Sequence, residues 1–591
     1  MDPDPKKSKD SPSSSATSSG SSHTHSPFPN EVLEKVLSLM DSDKDRGSVS
    51  LVCKDCVSRT VARRFPRIKS VTLKGEPRCH ELPMLPWNWG ANVHSWVVMF
   101  AKVYPFLEEL RLKRMTICDE SLELLAKSFP GFKALSLSSS FGFTSNGLKA
   151  IATHCRNLTE LNIQDDDSMY SVPGCWLSCF PENFASLEIL NFACLNTDVS
   201  FDALERLVSR CRSLRVLKVN QSITLDQLQR LLVHAPHVME LGTGFFWQQL
   251  TPRQYEDIES AFNNCKNLQV LSFSCQTSAR YLPVLYEACA GLTFLNLRRS
   301  YIQSGELAKL LPHCSNLRRL WVPDTVKDKG LKIVGSSCPL LEELRVLQSS
   351  PLDLNDRGVT ELGLLDVSRG CSKLHYVFYY CRRMTNASVV TIVRNCPNFT
   401  HFRLCIRKPD QPDYLTNKPL DEAFAAVVKN CTKLRRLSVS GLVTDLTFDY
   451  IGKCAKNLET LSVAFAGGSS DRGMQCVLEG CPKLRKLEIR DCPFGNDALL
   501  SGLEKYEMIR SLWMSGCNIT IKGCKLLARE MPRLNVEVIE DEESDDDIRV
   551  PRLNVEVIND EESDNIQPKK VYVYRSLAGP RQDAPPSVLT L

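Results

Sequence analysis

Long apolar runs are missing from this chain. No stretch approaches the roughly 18 consecutive apolar residues of a membrane-spanning helix, and the first residues are polar rather than charged and then apolar. The expectation is a soluble, intracellular protein with no secretory leader and no membrane partner. Net charge is also small. The 73 Lys and Arg against 69 Asp and Glu leave +4 over 591 residues, too little to imply a nucleic-acid partner. Catalytic signatures are absent as well: no Gly-rich phosphate loop opens a helix, no nucleophile elbow occurs, and no His/carboxylate pair shares one element. Gly242-Thr243-Gly244 reads only as a loop after a strand. The expectation is a protein that does no bond chemistry of its own. The histidines are scattered, and no Cys/His set has zinc-ligand spacing, so no metal is expected.

What the chain has in abundance is one pattern, apolar-x-x-apolar-x-apolar, returning about every 25 residues, which is the spacing of leucine-rich repeats. Copies begin at Ile68, Leu107, Leu158, Leu187, Leu214, Leu268, Leu292, Leu317 and Leu341. Others begin at Leu374, Phe399, Leu434, Leu458, Leu484 and Ile509, and the series ends near Leu534. Each copy predicts a short strand followed by an amphipathic helix, as at Asp119 and Asp445. One such unit cannot bury its own apolar face, so neighbours must stack. The fold class is α/β: a leucine-rich-repeat solenoid, closed as a horseshoe, of about 18 repeats, preceded by a small all-α piece.

The 25 cysteines fit this frame. Cys155, Cys211, Cys265, Cys289, Cys314, Cys338, Cys371, Cys396, Cys431 and Cys481 each stand three residues before a repeat's first apolar position. Phe65, Tyr104, Phe129 and Phe184 hold the same slot elsewhere. A slot shared by Cys and aromatics is a buried apolar corner, not a disulfide or metal framework.

Four segments follow. Residues 1–26 are Ser-rich and expected to be disordered. Residues 27–62 carry two apolar stripes at helical spacing. The solenoid occupies 63–539. Residues 540–591 hold an acidic linker, a second copy of the Pro532–Ile539 segment at Pro551–Ile558, and a cap or tail in which Lys570–Arg575 is a candidate strand; the first copy is expected to close the array. Three overlong repeats, from Ile68, Leu341 and Phe399, predict loops on one rim.

Strand side chains alternate, so the second x, the residue between the last two apolars and the residue after them share the concave face. Early copies place Lys74, Arg111 and Lys113 there. Late copies place Arg345, His401, Arg403, Arg436, Ser438, Ser440, Ser462, Lys486 and Arg490. Between them the face is mostly neutral: Asn162, Asn191, Gly242, Ser272, Asn296, Trp321. If curvature joins the ends, Lys74, Lys113 and Arg114 face the Arg403–Arg490 group, and such a cluster suits a highly phosphorylated small molecule. The plainer alternative pairs these cations with Glu109, Glu343, Glu488 or Asp491 along the strands.

Several stretches resemble plant auxin receptors of the transport-inhibitor-response/auxin-signaling F-box family: FPNEVLEKVLSLM and DKDRGSVSLVCK near the N-terminus, LEELRLKRM, FRLCI, RRLSVSGLVTD, LSVAFAG and RKLEIRDCPFG. The resemblance runs from Phe28 to the terminal GPRQDAPP. It implies that 27–62 is an F-box docking on a Skp-type adaptor and cullin ligase core, and that the solenoid captures Aux/IAA repressors for ubiquitination. It implies auxin as the small-molecule ligand, with Arg403, Ser438, Ser462, Ala464 and Phe465 at its site. It implies inositol hexakisphosphate as cofactor, held by Lys74, Lys113, Arg114, Arg345, His401, Arg403, Arg436, Arg485, Lys486 and Arg510. Repressor-degron contacts implied are Glu81, Leu82, Leu347, Tyr380, Cys405 and Arg490, and Leu404 and Val439 match wall positions. A nuclear location follows from the same resemblance. The sequence also departs from the family. Arg78 replaces a pocket histidine, Cys79 and Leu82 replace two degron-packing phenylalanines, and the F-box lacks the segment that should finish it between Lys54 and Arg63. The alternative function is a horseshoe that binds its anion, with or without repressors, but not the adaptor: a decoy rather than a ligase subunit. A third reading, a repeat protein that inhibits an enzyme by wrapping it, requires a concave face with no buried polyphosphate.

Overall fold

A computed structural model describes residues 67–75, 91–164, 175–196, 198–244, 251–273, 279–349, 358–539, 565–575, 584–585 and 587–591. The Ser-rich leader, the 27–62 segment, residues Arg78, Cys79, Glu81 and Leu82, the acidic run and the second copy at Pro551–Ile558 lie outside them.

Each repeat's apolar triad makes a strand because alternate side chains are buried behind the sheet while the others face the hollow. β2 (Glu109–Lys113), for example, alternates half-exposed Glu109 and Arg111 with fully buried Leu110 and Leu112. The series opens with β1 (Ser70–Lys74), followed by β2, β3 (Ala134–Ser138), β4 (Glu160–Gln164), β5 (Ile189–Asn191) and β6 (Val216–Lys218). It continues through β7 (Glu240–Thr243), β8 (Val270–Phe273), β9 (Phe294–Asn296), β10 (Arg319–Pro323), β11 (Glu343–Leu347) and β12 (Tyr376–Cys381). The last repeats give β13 (His401–Ile406), β14 (Arg436–Ser440), β15 (Thr460–Ala464), β16 (Lys486–Arg490) and β17 (Ser511–Ser515). All are parallel to their neighbours, with helices on the outside, and the core is the continuous layer between strands and helices. No helix among the described residues is long and apolar enough to cross a membrane.

Two strands, β3 and β7, belong to copies missing from that series; Phe132 and Val238 fill the first apolar slot and are fully buried. Gly242 and Thr243, expected in a loop, are the end of β7. The C-terminal end differs further from a simple stack. β18 (Leu534–Ile539), from the first copy of the duplicated segment, does not pair with β17. β19 (Lys570–Arg575) inserts antiparallel between them, and β20 (Val588–Thr590) adds to the far side of β18. The ends of the array meet: Ala91, beyond β1, packs against a cluster of Trp513, Ile539 and Val588.

The expected cysteine corner is buried in every repeat named above, and its thiols stack. Cys371 Sγ donates to the Cys338 carbonyl (3.1 Å) and Cys396 Sγ to that of Cys371 (3.4 Å). Burial pushes the Cys155, Cys338 and Cys371 thiols up to about 12, so they stay protonated and inert.

A ladder of carboxylates fixes one repeat to the next. Asp328 accepts from Thr360 N (2.8 Å), Thr360 Oγ1 (2.7 Å) and Gly363 N (3.0 Å), capping the following helix from outside it. Asp119 does the same for Thr144 and Gly147, and Asp421 for Thr444 and Thr447. An acidic group at a helix N-terminus also opposes the positive end of the macrodipole. Asp328→Ala and Asp421→Ala should therefore each cost about 1–3 kcal/mol, by stranding donors that the next repeat supplies. Urea unfolding followed by circular dichroism checks this; an unchanged midpoint in both variants would refute the capping role.

Candidate functional site

The register stacks the inward side chains of the late strands in three layers. At the N-terminal ends of the strands lie Tyr376, His401, Arg436, Thr460 and Lys486. The middle layer holds Phe378, Arg403, Ser438, Ser462 and Glu488. The upper layer holds Tyr380 beside Cys405 and Ser440 beside Ala464 and Arg490, with Leu347 at the same height in β11.

The cations at those N-terminal ends are joined electrostatically by residues from the C-terminal ends of β1 and β2. Lys74 pairs in register with Lys113. Desolvation, and then Lys113, Arg114 and Arg510, hold the Lys74 ammonium below its ordinary range, so β1 and β2 sit within electrostatic reach of the start of β17. Lys486 is lowered too. Desolvation comes first, and the repulsion of Arg114, Arg436 and Lys74 adds to it against the opposing pull of Glu488. Lys486 keeps solvent access, and its desolvation comes from the protein wall around the hollow. Among the described residues no carboxylate forms an ion pair with Lys74, Lys113, Arg436, Arg485, Lys486 or Arg510. Arg114 holds φ +53, the left-handed conformation in which β2 ends.

Other cations on the face are paired, as the plainer alternative expected. Arg345 Nε meets Glu343 at 2.6 Å, and its guanidinium lies 4.2 Å from the Trp321 ring centre and 4.7 Å from that of Tyr376. Arg490 pairs with Asp491 at 3.1 Å and lies 5.1 Å from the Phe465 ring. Arg111 makes two bonds to Glu160, at 2.9 and 2.8 Å. Glu488 instead accepts from Ser462 Oγ at 2.7 Å.

Above the cationic layer, Arg403 Nε donates to Ser438 Oγ at 3.3 Å, and its guanidinium lies 4.7 Å from the buried Phe378 ring. The β13–β14 ladder ends at this pair. Beyond it the Ile406 N–H is taken by the Ser440 hydroxyl (3.1 Å), so a side chain satisfies the backbone where the ladder stops. Gly441 follows at φ +121; a Cβ there would come within 2.7 Å of Leu420 and 3.1 Å of Ile406. Phe465 holds φ +60, strained for a bulky side chain, with its N–H bonded to the Arg490 carbonyl at 3.0 Å. Leu404 and Val439 are buried behind the sheet, not in the hollow.

Glu81 and Leu82, with Arg78 and Cys79, lie outside the described residues. Sequence reasoning passed over Phe378 and, as a partner of Ser462, Glu488. The same alternation that picked Arg403 places both in its layer. The loop after β13 is pinned by Asp413, which accepts from Asn386 N (2.8 Å), and by Tyr414, which donates to the buried Glu361 (2.5 Å).

A solenoid with an open polar hollow is a binding architecture, and the comparisons give its class. Residues 25–56 match an F-box model and residues 66–112 a Transport inhibitor response 1 protein domain model. The chain is 46% identical over 584 residues to GRR1-like protein 1 of Arabidopsis thaliana, covering 95% of this chain and 97% of that protein. It is 44% identical to a Transport inhibitor response 1-like protein of Oryza sativa subsp. japonica (95% and 96% covered) and 29% to Coronatine-insensitive protein 1 of Arabidopsis thaliana (95% and 96%). Among solved structures it matches the Rad7 and Elc1 complex in yeast, at TM-score 0.36 and 15% identity over 63% of this chain and 87% of that one. The protein is an F-box substrate receptor, a class that binds a Skp-type adaptor and cullin core and is in general non-catalytic. It belongs to the family of F-box proteins related to the transport-inhibitor-response/auxin-signaling receptors.

Proposed function

We propose that this chain is an auxin receptor and the substrate-recognition subunit of an SCF-type ubiquitin ligase, acting in the nucleus on Aux/IAA repressors. Inositol hexakisphosphate is the proposed occupant of the cationic layer. The observation that carries the reading is the vertical arrangement: Arg403, bonded to Ser438 and packed against Phe378, sits one layer above Arg436 and Lys486, neither of which forms an ion pair among the described residues. A carboxylate ligand fits above and a polyphosphate below. Ser462, Ala464 and Phe465 border the upper space, while Leu347, Tyr380, Cys405 and Arg490 lie at the height where a degron would rest. Arg510, just before β17, lies within electrostatic reach of Lys74, and the resemblance assigns Arg485, just before β16, to the same cluster.

The test is capture of an immobilised repressor degron by the purified chain, with and without auxin, alongside mass spectrometry for a co-purified inositol polyphosphate. Capture indifferent to auxin, or a chain that never holds a polyphosphate, would overturn the proposal. Imaging a fluorescent fusion tests the nuclear assignment.

The substituted early loop carries its own expected result. Restoring two aromatics and a histidine by Arg78→His, Cys79→Phe and Leu82→Phe should tighten degron binding by of order 2 kcal/mol, because each ring adds buried contact where a degron packs. Adaptor binding should not move. Equal affinities before and after, by surface plasmon resonance, would show that the loop does not touch the degron.

A further inference from the structure

His401 stands in the lower layer between Tyr376 and Arg436. Its ring stacks on Tyr376 at 4.8 Å between centres, and Nδ1 lies 2.9 Å from Thr400 Oγ1. The Thr400 hydroxyl is also 3.1 Å from the His375 carbonyl, to which it donates. With its proton on that carbonyl the hydroxyl only accepts, so His401 carries its proton on Nδ1 and leaves Nε2 unprotonated, while His375 Nδ1 lies 3.5 Å from the same oxygen. The charged groups around the ring come from four strands: Arg436 from β14, Arg403 from β13 itself, Arg345 from β11, and His375 just before β12. The carboxylate of Glu343, in register with Tyr376, is engaged by Arg345. Burial first, and then these cations, push the imidazole down to about 4, so it is neutral at pH 7.

Resting on the polyphosphate reading above, we infer that filling the lower layer with a polyanion protonates His401 at Nε2, so that binding takes up a proton from solvent. Burial contributes most to keeping the ring neutral, and the cations that add to it, Arg436 in the same layer foremost, are ones a polyanion there would offset. Once phosphate oxygens offset those charges, an imidazolium becomes a further donor to them instead of one more repelled cation. By linkage, the bound state then binds more protons than the free state, and affinity rises as pH falls from the bound-state pKa toward the free-state one. An arginine at this position would carry its charge at every pH. The histidine makes anion affinity a function of pH.

Calorimetric titration of the anion-stripped full chain with inositol hexakisphosphate, in paired buffers of unlike ionisation heat at pH 6.0 and 7.5, counts the protons. Wild type should take up as much as one proton more per ligand at pH 6.0 than His401→Gln. The wild-type-to-variant affinity ratio should grow several-fold between pH 7.5 and 6.0, which cancels the ligand's own change of charge. His401→Arg should show no such growth. Equal proton counts and a constant ratio in wild type and His401→Gln would overturn the inference while leaving the anion site standing. Absence of binding in wild type would overturn the anion site itself. Carbon-13 histidine spectra of wild type give a reading independent of variants. One imidazole should be neutral without ligand and charged with it at pH 6.0, and no change in any imidazole would also overturn the inference.

Discussion

Arg403→Ala is expected to abolish auxin-dependent repressor capture. A carboxylate brought into the hollow loses water, and Arg403 is a middle-layer cation that Ser438 and Phe378 hold in place at 3.3 and 4.7 Å. Hydrogen bonds to charged groups contribute roughly 1.5–3 kcal/mol, and a desolvated carboxylate left without its partner costs more. The loss in auxin sensitivity should thus exceed about tenfold and reach two orders of magnitude or more. Arg403→Lys should fail to rescue, since an ammonium neither stacks on Phe378 nor offers a planar fork. Ser438→Ala should cost less, because it frees the guanidinium without removing it. The measurement is degron capture across an auxin titration, and wild-type sensitivity in Arg403→Ala would remove this residue from the ligand site.

Removing the polyphosphate should have the largest effect on stability. Lys74, Lys113, Arg436 and Lys486 form no ion pairs among the described residues, and the lowered proton affinities of Lys74 and Lys486 report desolvation first and then the repulsion of neighbouring cations, against the pull of Glu488 on Lys486. A ligand bound only to the native state, at a hundredfold excess over Kd, adds about 2.7 kcal/mol. Arg436→Ala should lower Tm with ligand present and raise it in the stripped protein, an inversion that a merely structural arginine would not produce. The pH dependence has a definite sign. The stripped native state binds fewer protons at these lysines than the unfolded chain does, so its stability rises as pH climbs from their lowered values toward the ordinary lysine range. A stripped protein that melts no lower than the loaded one would refute the structural role.

The inward face was legible from the sequence because strand alternation is strict: every concave position assigned to the late repeats is found in its layer. Closure of the ring was legible only as a condition, since nothing local tells how much each repeat rotates. Phe132 and Val238 begin two copies that the series left out, although Phe399 holds the same slot in another copy and any apolar residue of similar bulk fills it. The insertion of β19 was not legible either. Lys570–Arg575 reads as a strand, but its place between β17 and β18 is set by long-range pairing. Partner choice was the weakest point. Glu343 lies within reach of Arg345 and Asp491 within reach of Arg490, whereas Glu488 turns to a serine; these are decisions of rotamer and distance, not of spacing.

The meeting of the first strands with Arg510, and the late entry of β19 and β20, set an order of events during synthesis. Lys74 and Lys113 leave the ribosome hundreds of residues before Arg510 and the strand that covers β17, so for most of translation the hollow is an open arc with half its cations unmade. Contacts this distant in sequence form slowly. The chamber comes into being only when the last segment emerges, and at that moment like charges from both ends must converge. A polyanion present then would bridge the two ends as they converge, and in the finished chain it would still exchange with solvent, because Lys74, Lys113, Arg436 and Lys486 all remain exposed.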